Sequence, residues 1–159
     1  MLKYFTYDIV FQEFPDEVTL AVNLALCPNA CPGCHSSFLT RDIGDELTDE
    51  RLFALIEGYE GEITCVGLMG GDNDPARVAE LLGRVKRHYG ETLRTGWYSG
   101  RPELPDPFAH EAFDYVKTGP YIASQGPLND PRTNQRLYRV EHPSGALTDI
   151  TRRFWERRR

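Results

Sequence analysis

Residues 63–69, Ile-Thr-Cys-Val-Gly-Leu-Met, form a short apolar run that ends at once in Gly70-Gly71-Asp72. A run of this length without polar alternation reads as a strand buried on both faces, the type found in parallel sheets. Helical patterns flank it. Thr48 can cap a helix through about Tyr59, with Asp49 and Glu50 in the first turn and Leu52, Leu55 and Ile56 on one face. Asp74 caps and Pro75 opens a second helix to about Tyr89, which Gly90 ends. Residues 92–100 and 113–119 supply two more strands, separated by Pro102, Pro105 and Pro107. Upstream, 4–12 and 18–25 read as strands joined by a turn at Pro15-Asp16. Downstream, RLYRVEH and ALTDI read as a hairpin, followed by a short terminal helix carrying Phe154 and Trp155.

Strand, helix, strand, helix, strand is the order of a parallel α/β sheet, and such sheets build their sites at the carboxyl ends of the strands. Three unusual stretches fall there: a cysteine loop after 18–25, Gly-Gly-Asp after 63–69, and Tyr98-Ser99-Gly100. Their convergence on one rim predicts a single site.

The chain has 159 residues, enough for one domain with one sizeable core. No apolar run approaches the roughly 20 residues of a membrane helix, and the N-terminus is not patterned as a signal peptide. A cytoplasmic location is the expectation, with reduced thiols and no membrane partner. The net charge of −6 argues against a nucleic-acid partner. That charge is uneven: residues 152–159 carry five Arg and one Glu, which leaves −10 on residues 1–151. A basic tail on an acidic body can dock an acidic partner, or it can be a solvated end that suits a helix dipole.

Three of the four cysteines lie in Cys27-Pro-Asn-Ala-Cys31-Pro-Gly-Cys34-His35. Four readings compete for them. A disulfide suits neither the compartment nor the leftover thiol. Cys31-Pro-Gly-Cys34-His35 is formally a haem-attachment pattern but leaves Cys27 without a use. Zinc held by Cys27, Cys31, Cys34 and His35 requires adjacent residues to converge on one ion. A four-iron cluster on three thiolates leaves one iron without a protein ligand, open to a small molecule.

The spacing C-x3-C-x2-C resembles that of the radical S-adenosylmethionine enzymes. Met69-Gly70-Gly71-Asp72 is similar to the Gly-Gly-Glu/Asp motif of that superfamily, which holds the methionine amino group. Together with Trp97-Tyr98-Ser99-Gly100, Lys117-Thr118-Gly119-Pro120-Tyr121 and Thr133-Asn134-Gln135-Arg136, these motifs resemble the activating proteins of anaerobic ribonucleoside-triphosphate reductases over residues 1–150. Gly33, before the third cysteine, is in keeping with that branch.

The resemblance implies a small partial (β/α) barrel of the radical S-adenosylmethionine type, one domain over 1–159. It implies a [4Fe-4S] cluster on Cys27, Cys31 and Cys34, and S-adenosylmethionine held by Gly70, Gly71 and Asp72, with Tyr98, Ser99 and Lys117 further along the cofactor. No side chain is assigned as a catalytic acid or base, because the cofactor carries the chemistry. The implied activity is reductive cleavage of S-adenosylmethionine and removal of one hydrogen from a glycine Cα in the reductase. Its implied partners are the glycyl-radical subunit and a reducing donor such as flavodoxin or ferredoxin. An activase of a pyruvate formate-lyase-type enzyme is the alternative within the class, and a zinc-binding interaction module the alternative outside it.

Of the other residues, Cys65 reads as core packing, being mid-strand in an apolar run. Lys117 can meet a cofactor carboxylate or water. Asn134-Gln135-Arg136 can serve the cofactor, the partner or their own loop. His35, His88 and His110 show no partner in sequence.

Overall fold

The computed structural model describes residues 1–29 and 40–156. Two helices form where the caps predict them. Thr48 Oγ1 accepts from Arg51 N and starts α1, Asp49–Glu57. The Asp74 carboxylate accepts from Arg77 N and starts α2, Pro75–Tyr89. Each presents one apolar stripe, Leu52, Leu55 and Ile56 on α1 and Val78, Leu81, Leu82 and Val85 on α2. In α2 these fall at i, i+3, i+4 and i+7, which keeps them on one face.

The strands are β1 Lys3–Val10, β2 Thr19–Leu24, β3 Asp45–Glu46, β4 Cys65–Met69, β5 Arg94–Tyr98, β6 Tyr115–Thr118, β7 Arg136–Val140 and β8 Leu147–Asp149. They form one sheet in the order β3-β1-β2-β4-β5-β6-β7-β8. β2, β4, β5 and β6 are parallel, as the strand–helix alternation predicts. β1, β7 and β8 run antiparallel to their neighbours.

The expected partial (β/α) barrel is therefore not the fold: the sheet is open and mixed, and among the described residues only two α-helices accompany it. The reason lies in the connections. After β5 the chain carries Pro102, Pro105 and Pro107 and makes only a 3-10 turn, His110–Ala112. Proline lacks the amide and clashes with the preceding turn, so no third crossover helix forms. After β6 the chain reverses into a hairpin instead of crossing over, and the curl toward closure stops.

Both helices pack on one face, against Leu20, Val22, Val66, Leu68, Trp97 and Val116. The opposite face is covered in part by Phe14, from the β1–β2 connection, together with Ile150 and Phe154. The Phe14 ring is fully buried and lies flat over Gly67 and Gly96. A Cβ on Gly67 would come within 2.8 Å of that ring, so glycine in these two strands is a packing requirement. Cys65, as expected, is buried in this second cluster.

Candidate functional site at the carboxyl rim

The parallel strands end in a row of turns. Cys27 follows β2, Gly70-Gly71-Asp72 follows β4, Ser99-Gly100 follows β5, and Gly119 follows β6. The convergence predicted from sequence is present, and one carboxylate organises it. Asp72 is only 3% exposed. Its Oδ1 accepts from Ser99 Oγ at 2.6 Å, and its Oδ2 accepts from Gly100 N at 2.8 Å and from Asn29 Nδ2 at 2.6 Å. A carboxylate has about four acceptor directions, so one is left after these three bonds.

Asn29 also reaches the cysteine loop, with Nδ2 3.6 Å from Cys27 Sγ. The thiol is half-buried, and this amide directs a donor at its sulfur. Cys31, Cys34 and His35 lie outside the described residues. Among the described residues, no three His, Cys, Asp or Glu side chains converge as a metal site.

The glycines are held from behind. Gly70 N donates to Tyr98 O at 3.0 Å, and Gly70 O accepts from the Trp97 indole at 2.7 Å. Gly70 and Gly71 both have positive φ, +109° and +97°, a region where a Cβ is strained. A Cβ on Gly71 would also sit 2.6 Å from Val78 Cγ2 and 3.1 Å from Leu24 Cδ1. Gly71 thus turns its Cα against the core.

Tyr98 and Lys117 sit on the sheet face opposite the helices, level with Asn23 and Met69 across β2, β4, β5 and β6. The Tyr98 hydroxyl donates to Glu13 O, and its ring meets Phe14 edge-on at 5.2 Å. Burial pushes the Tyr98 phenol well above its ordinary value, so it stays protonated. Lys117 is 7% exposed; its Nζ donates to Gly119 O at 3.0 Å and lies 5.5 Å from the Tyr98 ring centroid. Ser99 N donates to Lys117 O at 2.9 Å, which ties this row to the Asp72 turn. The six predicted cofactor residues therefore form two groups. Gly70, Gly71, Asp72 and Ser99 make the rim itself, and Tyr98 and Lys117 lie below it on the open face.

Asn134 holds the loop after β6, donating to Pro120 O at 3.0 Å, and Gln135 is buried beside it. Arg136 pairs with Asp149 at 3.7 Å. A cavity of about 420 Å³ adjoins the rim, lined by Asp72, Ser99, Arg101 and Glu103 with Trp97 and Leu104.

Sequence reasoning missed Asn29 and Trp97. Asn29 stands in the gap between two cysteines, where attention goes to the thiols. Trp97 carried a usable signal, since a buried indole N–H requires an acceptor.

No family model matches the chain, and neither a curated protein nor a solved structure matches it. No helix among the described residues is long and apolar enough to cross a membrane.

Proposed function

We propose that the chain is a radical S-adenosylmethionine activase that generates the glycyl radical of an anaerobic ribonucleoside-triphosphate reductase. The observation that carries the reading is the Asn29 bridge. The first cysteine of a C-x3-C-x2-C spacing and the aspartate of a Gly-Gly-Asp turn share one amide, which lies 3.6 Å from the sulfur and 2.6 Å from the carboxylate.

On this reading Cys27, Cys31 and Cys34 hold a [4Fe-4S] cluster, which supplies one low-potential electron to bound S-adenosylmethionine when reduced by a flavodoxin or ferredoxin. The residues present fit that group. A thiol at a strand's carboxyl end with an amide N–H aimed at it suits a thiolate ligand, because such donors stabilise sulfur charge. The free acceptor direction of Asp72 takes an ammonium, and the Ser99, Gly100 and Asn29 donors fix the carboxylate so that it does not reorient on binding. Lys117 and Tyr98 bound the cofactor's far side on the open face. This chain's residues bind and orient, and none needs to move a proton.

The sheet's open side supports a macromolecular substrate. Among the described residues, two helices shield one face, whereas the opposite face carries Phe14, Ile150 and Phe154 as apolar cover.

The test is electron paramagnetic resonance of the reductase after anaerobic incubation with reduced, iron-loaded protein and S-adenosylmethionine. A glycyl-radical doublet on that reductase is expected. A doublet formed only on a pyruvate formate-lyase-type enzyme would move the partner and keep the class. Failure of the reduced, iron-loaded protein to cleave S-adenosylmethionine at all would remove the class.

A further inference from the structure

We propose that a cavity on the open face, at the end of the sheet away from the rim, binds a small polyanion through Arg94, Arg139 and Arg153. The inference does not rest on the activity proposed above. It begins with strand register. Arg139 stands opposite Tyr115 across β7 and β6, and Tyr115 stands opposite Gly96 across β6 and β5. Directly paired residues share a sheet face, and so do residues two apart along a strand. Arg94, two before Gly96, therefore shares the face of Tyr115 and Arg139, which is the face Phe14 covers at Gly96. Arg153 joins them from the 3-10 turn Thr151–Phe154. β5 runs from Arg94 to Tyr98, so Arg94 lies about 13 Å along the strand from the rim side.

The three arginines line a cavity of about 300 Å³. Tyr115 and Ile150 give it an apolar wall, and Asp16 and Glu17 lie beside the guanidinium groups. The Tyr115 ring is fixed, being nearly buried and stacked on Phe14 at 5.3 Å. A cavity of this volume suits a small molecule better than a length of polypeptide.

The donors set the chemistry of the ligand. A guanidinium offers five N–H groups and no acceptor. Among the described residues, Arg94 donates to Glu17 Oε1 at 3.4 Å, Arg139 donates to Glu141 Oε1 at 3.0 Å, and Arg153 donates to Asp16 Oδ2. Each acid thus holds one edge of its guanidinium and leaves most of the N–H groups unspent. The three side chains are 50%, 51% and 39% exposed, so a ligand in the cavity can reach them. Carboxylate and phosphate groups accept in pairs from such a planar fork. Three forks from three separate elements therefore fit an anion with two or more such groups. This convergence stands out in a chain whose net charge is −6.

The test is isothermal titration calorimetry of the full chain with pyrophosphate and with citrate. One-to-one binding of at least one of them is expected at low salt, with a dissociation constant below about 1 mM. The tighter of the two tells phosphate from carboxylate. Arg139→Gln and Arg153→Gln should each weaken binding at least about tenfold, with the far-ultraviolet dichroism unchanged. Arg152→Gln is the control. Arg152 pairs with Glu156 and does not line the cavity, so the same loss of charge should change affinity less than about twofold. A chain that binds neither anion overturns the proposal. So does binding that Arg139→Gln and Arg153→Gln leave intact, or that Arg152→Gln weakens as much as they do.

Discussion

Asn29 Nδ2 lies 2.6 Å from Asp72 Oδ2, joining a residue of the cysteine loop to the turn after β4 across 43 positions of sequence. The bond fixes the angle between two segments that no regular secondary structure connects. Its partner is a carboxylate nearly removed from water, where a bond to a charged group contributes about 1.5–3 kcal/mol.

Asn29→Asp tests that bond. It replaces the donor with a second acceptor at the same 2.6 Å. Two carboxylates this close cannot both ionise, so the pair takes up a proton and one folded-state pKa rises. A raised folded pKa contributes stability that is complete below the unfolded value, about 3.9, and is lost as pH rises through the folded one. The variant should therefore match the wild type near pH 4 and fall behind it by about 2 kcal/mol or more at pH 7. Urea unfolding at the two pH values checks this.

Gly71→Ala should be a stability variant first. Its Cβ meets Val78 and Leu24 in the core, and φ is +97°. Overpacking and left-handed backbone together cost about 2–4 kcal/mol. The expected result is a lowered urea midpoint in protein without any cofactor. An unchanged midpoint would contradict the packing described here.

The parallel centre of the sheet was legible because its signals are local. Thr48 and Asp74 cap where they stand, and the run to Met69 is bounded by glycine. The open form of the sheet was legible only in part. Pro102, Pro105 and Pro107 mark a connection that does not continue as a helix, but the antiparallel return of β7 on β6 is a long-range pairing that no local signal carries. The same holds for Phe14, whose ring comes from the β1–β2 connection to cover Gly67 and Gly96. In the site, the Gly-Gly-Asp turn and Ser99 were foreseen as neighbours. The hydrogen bonds of Asp72, and the inward aim of Gly71, are long-range facts that spacing does not carry.

Glu17 gives a second pH dependence, away from the rim. It is buried just before β2, with Oε1 3.4 Å from Arg94 and Oε2 without a hydrogen bond among the described residues. Burial pushes its carboxyl above the ordinary value, and Arg94 opposes the shift. The folded pKa is raised, so Glu17 favours folding at low pH and loses that contribution as pH rises through its folded pKa. Glu17→Gln keeps the shape without the charge. Its stability relative to the wild type should increase between pH 4 and pH 8, as measured by urea unfolding. A difference that is flat or falls with pH would contradict the assignment.

The most direct test of the central claim is the metal content of three anaerobically reconstituted proteins: wild type, Cys27→Ala and Cys65→Ala. Cys27 stands at the rim beside Asn29, whereas Cys65 is buried under Phe14, where burial raises its thiol well above the ordinary range. The account predicts about four irons per chain in the wild type and in Cys65→Ala, and loss of the cluster in Cys27→Ala. Zinc without iron in the wild type would contradict it, as would a cluster that survives Cys27→Ala and is lost in Cys65→Ala.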